Sequence, residues 1–240
     1  MTTSALIVDR RFRGPPTSGN GGYVAGLLAK ELGGSGCVVT LRSPPPLGSA
    51  LRLEQGGSEV RLLAGETLVA SAAPAELSII VPDPPDLHSA AEAERRFSGF
   101  DRHVFPGCFV CGPERGTGDG LRIFPGRAAE PTARMVAAVW QPDGSLSDDR
   151  GRVHPEFVWA ALDCPGYFAV EEAAGSAVLG RLGAILHRPV PADSPVIVTG
   201  WPIESDGRKH KAGTALHDRS GTLLASAVAT WISIAGSDWQ

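Results

Sequence analysis

The chain carries apolar runs of helical and strand type in an order that occurs twice. Near the N-terminus, Asn20-Gly21-Gly22-Tyr23-Val24-Ala25-Gly26-Leu27-Leu28-Ala29 reads as a short apolar helix opened by a polar residue suited to start one. Far downstream, His154-Pro155-Glu156-Phe157-Val158-Trp159-Ala160-Ala161-Leu162-Asp163 reads the same way. The segments that follow also pair. Leu41-Arg42-Ser43-Pro44-Pro45-Pro46 parallels Leu186-His187-Arg188-Pro189-Val190-Pro191, an extended stretch ending in a proline-rich turn. Thr67-Leu68-Val69-Ala70-Ser71-Ala72 parallels Thr222-Leu223-Leu224-Ala225-Ser226-Ala227. The offset between copies grows only around Glu204 to Lys211, where the second copy has room for a longer hairpin.

Each copy therefore predicts a leading strand, a central apolar helix and three or more antiparallel strands, an α+β class. Gly56-Gly57, Asp206-Gly207 and Ser220-Gly221 supply hairpin turn chemistry. Collinear repetition points to internal duplication, with halves at 1–82 and 103–240 and a linker at 83–102. At the boundary between the copies, Pro82-Asp83-Pro84-Pro85-Asp86 is turn-rich, and a short helix is expected over Ala90 to Phe97. Two such sheets joined edge to edge would protect strands otherwise left unpaired.

Composition narrows the function classes. The 240 residues are 42% hydrophobic and 20% charged, which suits a packed core and not disorder. The 30 glycines and 20 prolines suit short elements separated by tight turns. With a formal net charge of −4 and no basic stripe interleaved with aromatics, nucleic acid is not an expected partner. No apolar run reaches the roughly 18 residues of a membrane span, so no membrane partner is expected either. The N-terminus lacks the basic and apolar regions of a signal peptide, and the four cysteines do not form a disulfide framework. A cytoplasmic protein is the expectation. No phosphate-binding glycine loop followed by Lys-Ser/Thr is present, which argues against nucleotide hydrolysis.

Two stretches carry a family resemblance. Cys108-Phe109-Val110-Cys111-Gly112-Pro113, with Gly120-Leu121-Arg122-Ile123-Phe124 after it, is similar to the lead-in before the first strand of many hotdog domains. His154 and Asp163, nine positions apart, match the spacing of histidine and aspartate on the central helix of that superfamily. The chain thus resembles the phenylacetyl-CoA-thioesterase-like branch and its double hotdog relatives. The resemblance implies a tandem double hotdog, each half a curved antiparallel sheet wrapped around a central helix. It also implies an acyl-CoA or related thioester as substrate, no cofactor, and leaves open a homo-oligomer of double hotdogs.

In the family, backbone N–H groups of a Gly-Gly pair at the helix start form the oxyanion hole, and an aspartate from the facing helix is nucleophile or general base. The chemistry is sound, because a helix N-terminus presents unpaired donors and a positive partial charge. Carried onto this chain, the first copy has Asn20-Gly21-Gly22 but Ala29 where the carboxylate would stand. The second has His154 and Asp163 but Pro155-Glu156 where the glycines would stand. The resemblance therefore implies one composite site, with Asp163, Gly21 and Gly22 catalytic and Asn20, His154 and Glu156 around the substrate. The opposite pairing, Ala29 with Pro155-Glu156, would be inactive.

Blander readings stand beside these. The glycines could form a simple turn, Asp163 could be a cap before Pro165-Gly166, and Glu156 could answer the helix macrodipole. The apolar faces (Val24, Leu27, Leu28, Phe157, Trp159, Leu162, Phe168) suit a core, and could also line an acyl tunnel. Arg42, Arg188, Lys209 and Lys211 are candidates for CoA phosphates. Two other functions stay open: a non-catalytic acyl-CoA or lipid binder, and an enoyl-CoA hydratase-like enzyme. Cys108 and Cys111, with His103 nearby, raise a metal question. Four ligands are wanted for a structural zinc and no second Cys/His pair has suitable local spacing, so no metal is expected and the motif reads as a turn against Leu121 to Phe124. Ser71 and Ser226 have no evident His/Asp companions, so a serine hydrolase is not expected.

Overall fold

The computed structural model describes residues 2–34, 36–129 and 134–234. The first half runs β1 (Thr2–Ile7), α1 (Gly21–Leu32), β2 (Gly36–Leu41), β3 (Ala50–Gly56), β4 (Glu59–Ala64) and β5 (Thr67–Pro74). A connecting segment with α2 (Leu87–Glu94) and the short strand β6 (Gly126–Arg127) leads into the second. That half runs β7 (Val136–Trp140), α3 (Pro155–Ala161), α4 (Cys164–Ala174), β8 (Ala177–Leu186), β9 (Val196–Asp206), β10 (Lys209–His217) and β11 (Leu223–Ser233).

Among the described residues the strands form one sheet of eleven, in the order β1-β3-β4-β5-β2-β8-β11-β10-β9-β7-β6. Read outward from the middle, β2-β5-β4-β3-β1 on one side matches β8-β11-β10-β9-β7 on the other. The duplication is therefore topological as well as sequential. The halves join through antiparallel pairing of β2 with β8, for example Cys37 opposite Ala184 and Val39 opposite Leu182. Equivalent two-residue turns close β3–β4 and β9–β10, with Gly57 at φ 61° and Gly207 at φ 53°, a region open to glycine at no steric cost. The longer second hairpin is present too: β9 has 11 residues where β3 has 7.

The central helix α1 packs against β2, β4, β5 and β8 of the sheet. Val24, Ala25 and Leu28 of α1 are fully buried, and Tyr23 stacks between Phe12 and Phe157. Burying each large apolar side chain contributes about 1.5–3 kcal/mol, so this packing anchors α1 firmly. On its other face α1 meets α3 at very close range. A Cβ on Gly22 would sit 2.5 Å from Asp163 Cβ, and one on Gly26 would sit 2.6 Å from Glu156 Cα. Glycine at these two positions, one turn apart, is what lets the helices touch.

Two sequence expectations need adjustment. The helix expected from His154 to Asp163 ends at Ala161 and a new one begins at Cys164. Pro165 explains the restart, because a proline in a first helical turn removes a donor that has no intrahelical acceptor anyway. The short helix of the connecting segment starts at Leu87, not Ala90, because the Asp86 carboxylate accepts from Ser89 N at 2.7 Å and caps it there. Ala90 and Ala93 pack on Ala137 and Ile197. Their neighbours Val136, Ala138, Val196 and Val198 point into the main core, so α2 covers the opposite face of β7 and β9.

Candidate active site

The N-terminus of α1 and the break between α3 and α4 meet at one point. Asn20 caps α1, its Oδ1 accepting from Tyr23 N at 2.9 Å. Its Nδ2 donates to Asp163 Oδ2 at 2.8 Å, and Gly22 N donates to the same oxygen at 2.9 Å. Asp163 Oδ1 is buried without a hydrogen-bond partner among the described residues. At the break, Asp163 adopts φ −80° and ψ −80°, and Thr214 Oγ1 donates to the freed Leu162 carbonyl at 2.8 Å. The helix interruption thus holds the carboxylate against α1 instead of letting it follow the helix axis.

Asp163 is only 2% exposed, and burial pushes its carboxyl up to about 7 despite the opposing hydrogen bonds from Gly22 and Asn20. It lines a cavity of about 290 Å³ together with Asn20, Gly21, Tyr167, Leu179 and Trp231. The exposed Arg42 also contributes to its wall. Gly21 N has no hydrogen-bond partner among those described, whereas Gly22 N is taken by Asp163.

Of the residues singled out in the sequence, Asn20, Gly21, Gly22 and Asp163 come together here. His154 and Glu156 do not. They lie outside the cavity, at the other end of the α1/α3 pair, where Glu156 Oε1 receives Lys30 Nζ at 3.2 Å. His154 stands at the start of α3 without a side-chain cap bond. The apolar residues weighed for an acyl tunnel (Val24, Leu28, Phe157, Trp159, Leu162 and Phe168) are core, and the cavity wall is built by others. Tyr167 and Trp231, whose rings lie 5.4 Å apart, escaped the sequence reading because one sits beyond the helix break and the other in the last strand. Ser226 does have a histidine, His187 Nε2 at 2.9 Å, but no carboxylate pairs with that ring among the described residues and neither residue lines the cavity.

Beside Asp163 stands a third group. Cys108, Cys111 and Cys164 are all buried, line the cavity, and bring their sulfurs within 4.8 Å of one another. Cys108 Sγ lies 3.7 Å from Cys164 Sγ, and Asn20 Nδ2 approaches Cys108 Sγ at 3.9 Å. Hydrogen bonding from Cys111 and Cys164 draws the Cys108 thiol well below the usual range, while burial pushes Cys111 up. The turn against Leu121 to Phe124 is present, with Leu121 N and Ile123 N bonded to Phe109 O and Val110 O. The Cys-x-x-Cys is therefore both a turn and part of the cavity.

No family model matches the sequence, and no curated protein matches it. Solved structures do match in shape. A thioesterase candidate from Novosphingobium aromaticivorans superposes with TM-score 0.63 at 14% identity, over 97% of this chain and 96% of that one. The tesB protein of Mycobacterium avium subs. paratuberculosis gives 0.62 at 16% identity, over 97% and 93%. A hot dog fold protein of unknown function from Alicyclobacillus acidocaldarius gives 0.55 at 8% identity, again over 97% and 93%. At such identities the likeness is one of fold, and it spans both halves and their junction. The chain is a tandem double hotdog, two helix-and-sheet units fused along one continuous sheet.

Proposed function

We propose that the protein hydrolyses acyl-CoA or related thioesters at the single composite site formed by Asp163 and the N-terminus of α1. The observation that carries this reading is the Asp163 carboxylate. One of its oxygens is fixed by Asn20 and Gly22, the other is buried and unpartnered, and the residue lines a cavity of about 290 Å³. An acyl carbonyl entering that cavity would meet the Gly21 amide and the positive end of α1. Asp163 Oδ1 would take a proton from an attacking water, the tetrahedral oxyanion would sit at the helix start, and the C–S bond would break with the thiolate leaving. Arg42, exposed in the cavity wall, would meet the phosphates of a CoA carrier.

One observation favours a second reading, a non-catalytic acyl-CoA binder: Gly22 N–H is spent on Asp163 and unavailable to an oxyanion. A thiol-release assay over a panel of acyl-CoAs separates the two. Under the hydrolase reading some member turns over, and Asp163→Asn, which keeps the shape and can still accept from Gly22, lowers kcat/KM by about 10²–10⁴-fold, the usual worth of a general base. Full activity in that variant sinks the mechanism. Thermal stabilisation by acyl-CoA without turnover establishes the binder.

A further inference from the structure

The three cysteines beside Asp163 come from two places in the chain, a tight turn before the second half and the first turn of α4. Their convergence is independent of the hydrolytic reading. A divalent ion held tetrahedrally by sulfur has metal–sulfur distances of about 2.3 Å, which sets neighbouring sulfurs about 3.8 Å apart. Cys108 Sγ and Cys164 Sγ are 3.7 Å apart, and Cys111 completes a triangle with no side above 4.8 Å. A disulfide would need about 2.0 Å, so the spacing is that of ligands and not of a bond.

The surroundings also suit coordinated thiolates. The Val110 and Cys111 amides lie against the Cys108 sulfur, and the Asn20 side-chain amide approaches it at 3.9 Å. Donors of this kind spread the negative charge of a metal-bound thiolate. All three cysteines line the cavity, which supplies a route of approach, and the same wall carries the unpartnered Asp163 Oδ1, 2% exposed as a residue. His103 also belongs to that wall, its Nδ1 accepting from Phe105 N at 2.9 Å.

From this geometry we infer that Cys108, Cys111 and Cys164 form a three-thiolate site for a thiophilic closed-shell cation, Zn²⁺ being the reference ion, with its fourth position on the cavity side. Thiolate donors select such ions over the hard cations that prefer oxygen. Binding is a ligand exchange: three S–H protons leave to solvent, three sulfur–metal bonds form, and no electron is transferred. Water from the cavity completes the coordination. Three protein ligands with one open position is the arrangement of a reactive zinc centre, not of a closed structural one.

The full chain, reduced and stripped of metal by a chelator, is titrated first with Co²⁺ and then with Zn²⁺. The expected result is one ion per chain, sulfur-to-cobalt charge-transfer absorption of three-thiolate intensity, and bleaching of that band by one equivalent of Zn²⁺. Cys164→Ala, which spares the local Cys-x-x-Cys, weakens Zn²⁺ binding by more than about 100-fold, since losing an outer-shell partner alone costs about 10–100-fold. Cys37→Ala, elsewhere in the core, leaves binding as it was. If Cys164→Ala does not fold, the cobalt spectrum of the unsubstituted protein decides. No charge-transfer band at saturating Co²⁺, or Zn²⁺ affinity unchanged in folded Cys164→Ala, overturns the site and leaves three core thiols.

Discussion

The two ends of the α1/α3 pair occupy equivalent places in a duplicated fold and have opposite chemistry. At one end Gly22 faces Asp163 across a contact so close that a Cβ would not fit, and one carboxylate oxygen beside a cavity has no hydrogen-bond partner among the described residues. At the other, Glu156 stands where the first copy has Gly22; its Oε1 is paired with Lys30 Nζ at 3.2 Å, while its Oε2 is also buried without a hydrogen-bond partner among the described residues. The first end keeps an acid with no cationic partner among the described residues, next to a cavity. The second sets its acid beside a lysine and lines no part of that cavity, and these two differences separate the ends. A fused duplication permits this, because each end is encoded once and can drift without dragging the other with it.

The largest expected effect comes from the Asp163 end. Asp163→Asn lowers thioesterase kcat/KM by about 10²–10⁴-fold in the thiol-release assay while circular dichroism shows a folded protein. Gly22→Ala comes next: its Cβ would press on Asp163 Cβ at 2.5 Å, costing about 1–3 kcal/mol in urea unfolding and displacing the carboxylate. A change at Gly22 that left both stability and kcat/KM intact would show that close contact is not needed. Asn20→Ala removes the α1 cap and one of two hydrogen bonds to Asp163, for about 1 kcal/mol of stability and a measurable fall in kcat. The smallest effect belongs to the opposite end. Lys30→Met breaks an ion pair whose lysine is 51% exposed, so stability falls by about 1 kcal/mol or less and kcat/KM does not move. A loss of activity there would mean that the two ends are coupled.

Much of the fold was legible without coordinates. The capping residue Asn20, the hairpin glycines and the repeated order of apolar runs are local signals, and each acts over a few residues. The helix break at Leu162–Asp163 was half legible, since Pro165 marks it but does not say where the carboxylate turns. The site was legible only as a list of parts. Asn20, Gly21, Gly22 and Asp163 could be named only by carrying the hotdog resemblance onto the two copies, and His154 and Glu156, grouped with them on the same resemblance, stand at the far end. The cysteine trio was not legible, because Cys164 has no local partner and joins Cys108 across 56 residues.

By itself, then, the amino-acid sequence determined the kinds and order of the elements and the fact of their duplication, because periodicity, capping and turn chemistry are properties of neighbouring residues. Only the tertiary structure decided which carboxylate meets which amide. The bond from Gly22 N to Asp163 Oδ2 spans 141 residues. It depends on the β2–β8 register, on two glycines that let α1 touch α3, and on where one helix stops, none of which is written in any single stretch of the chain.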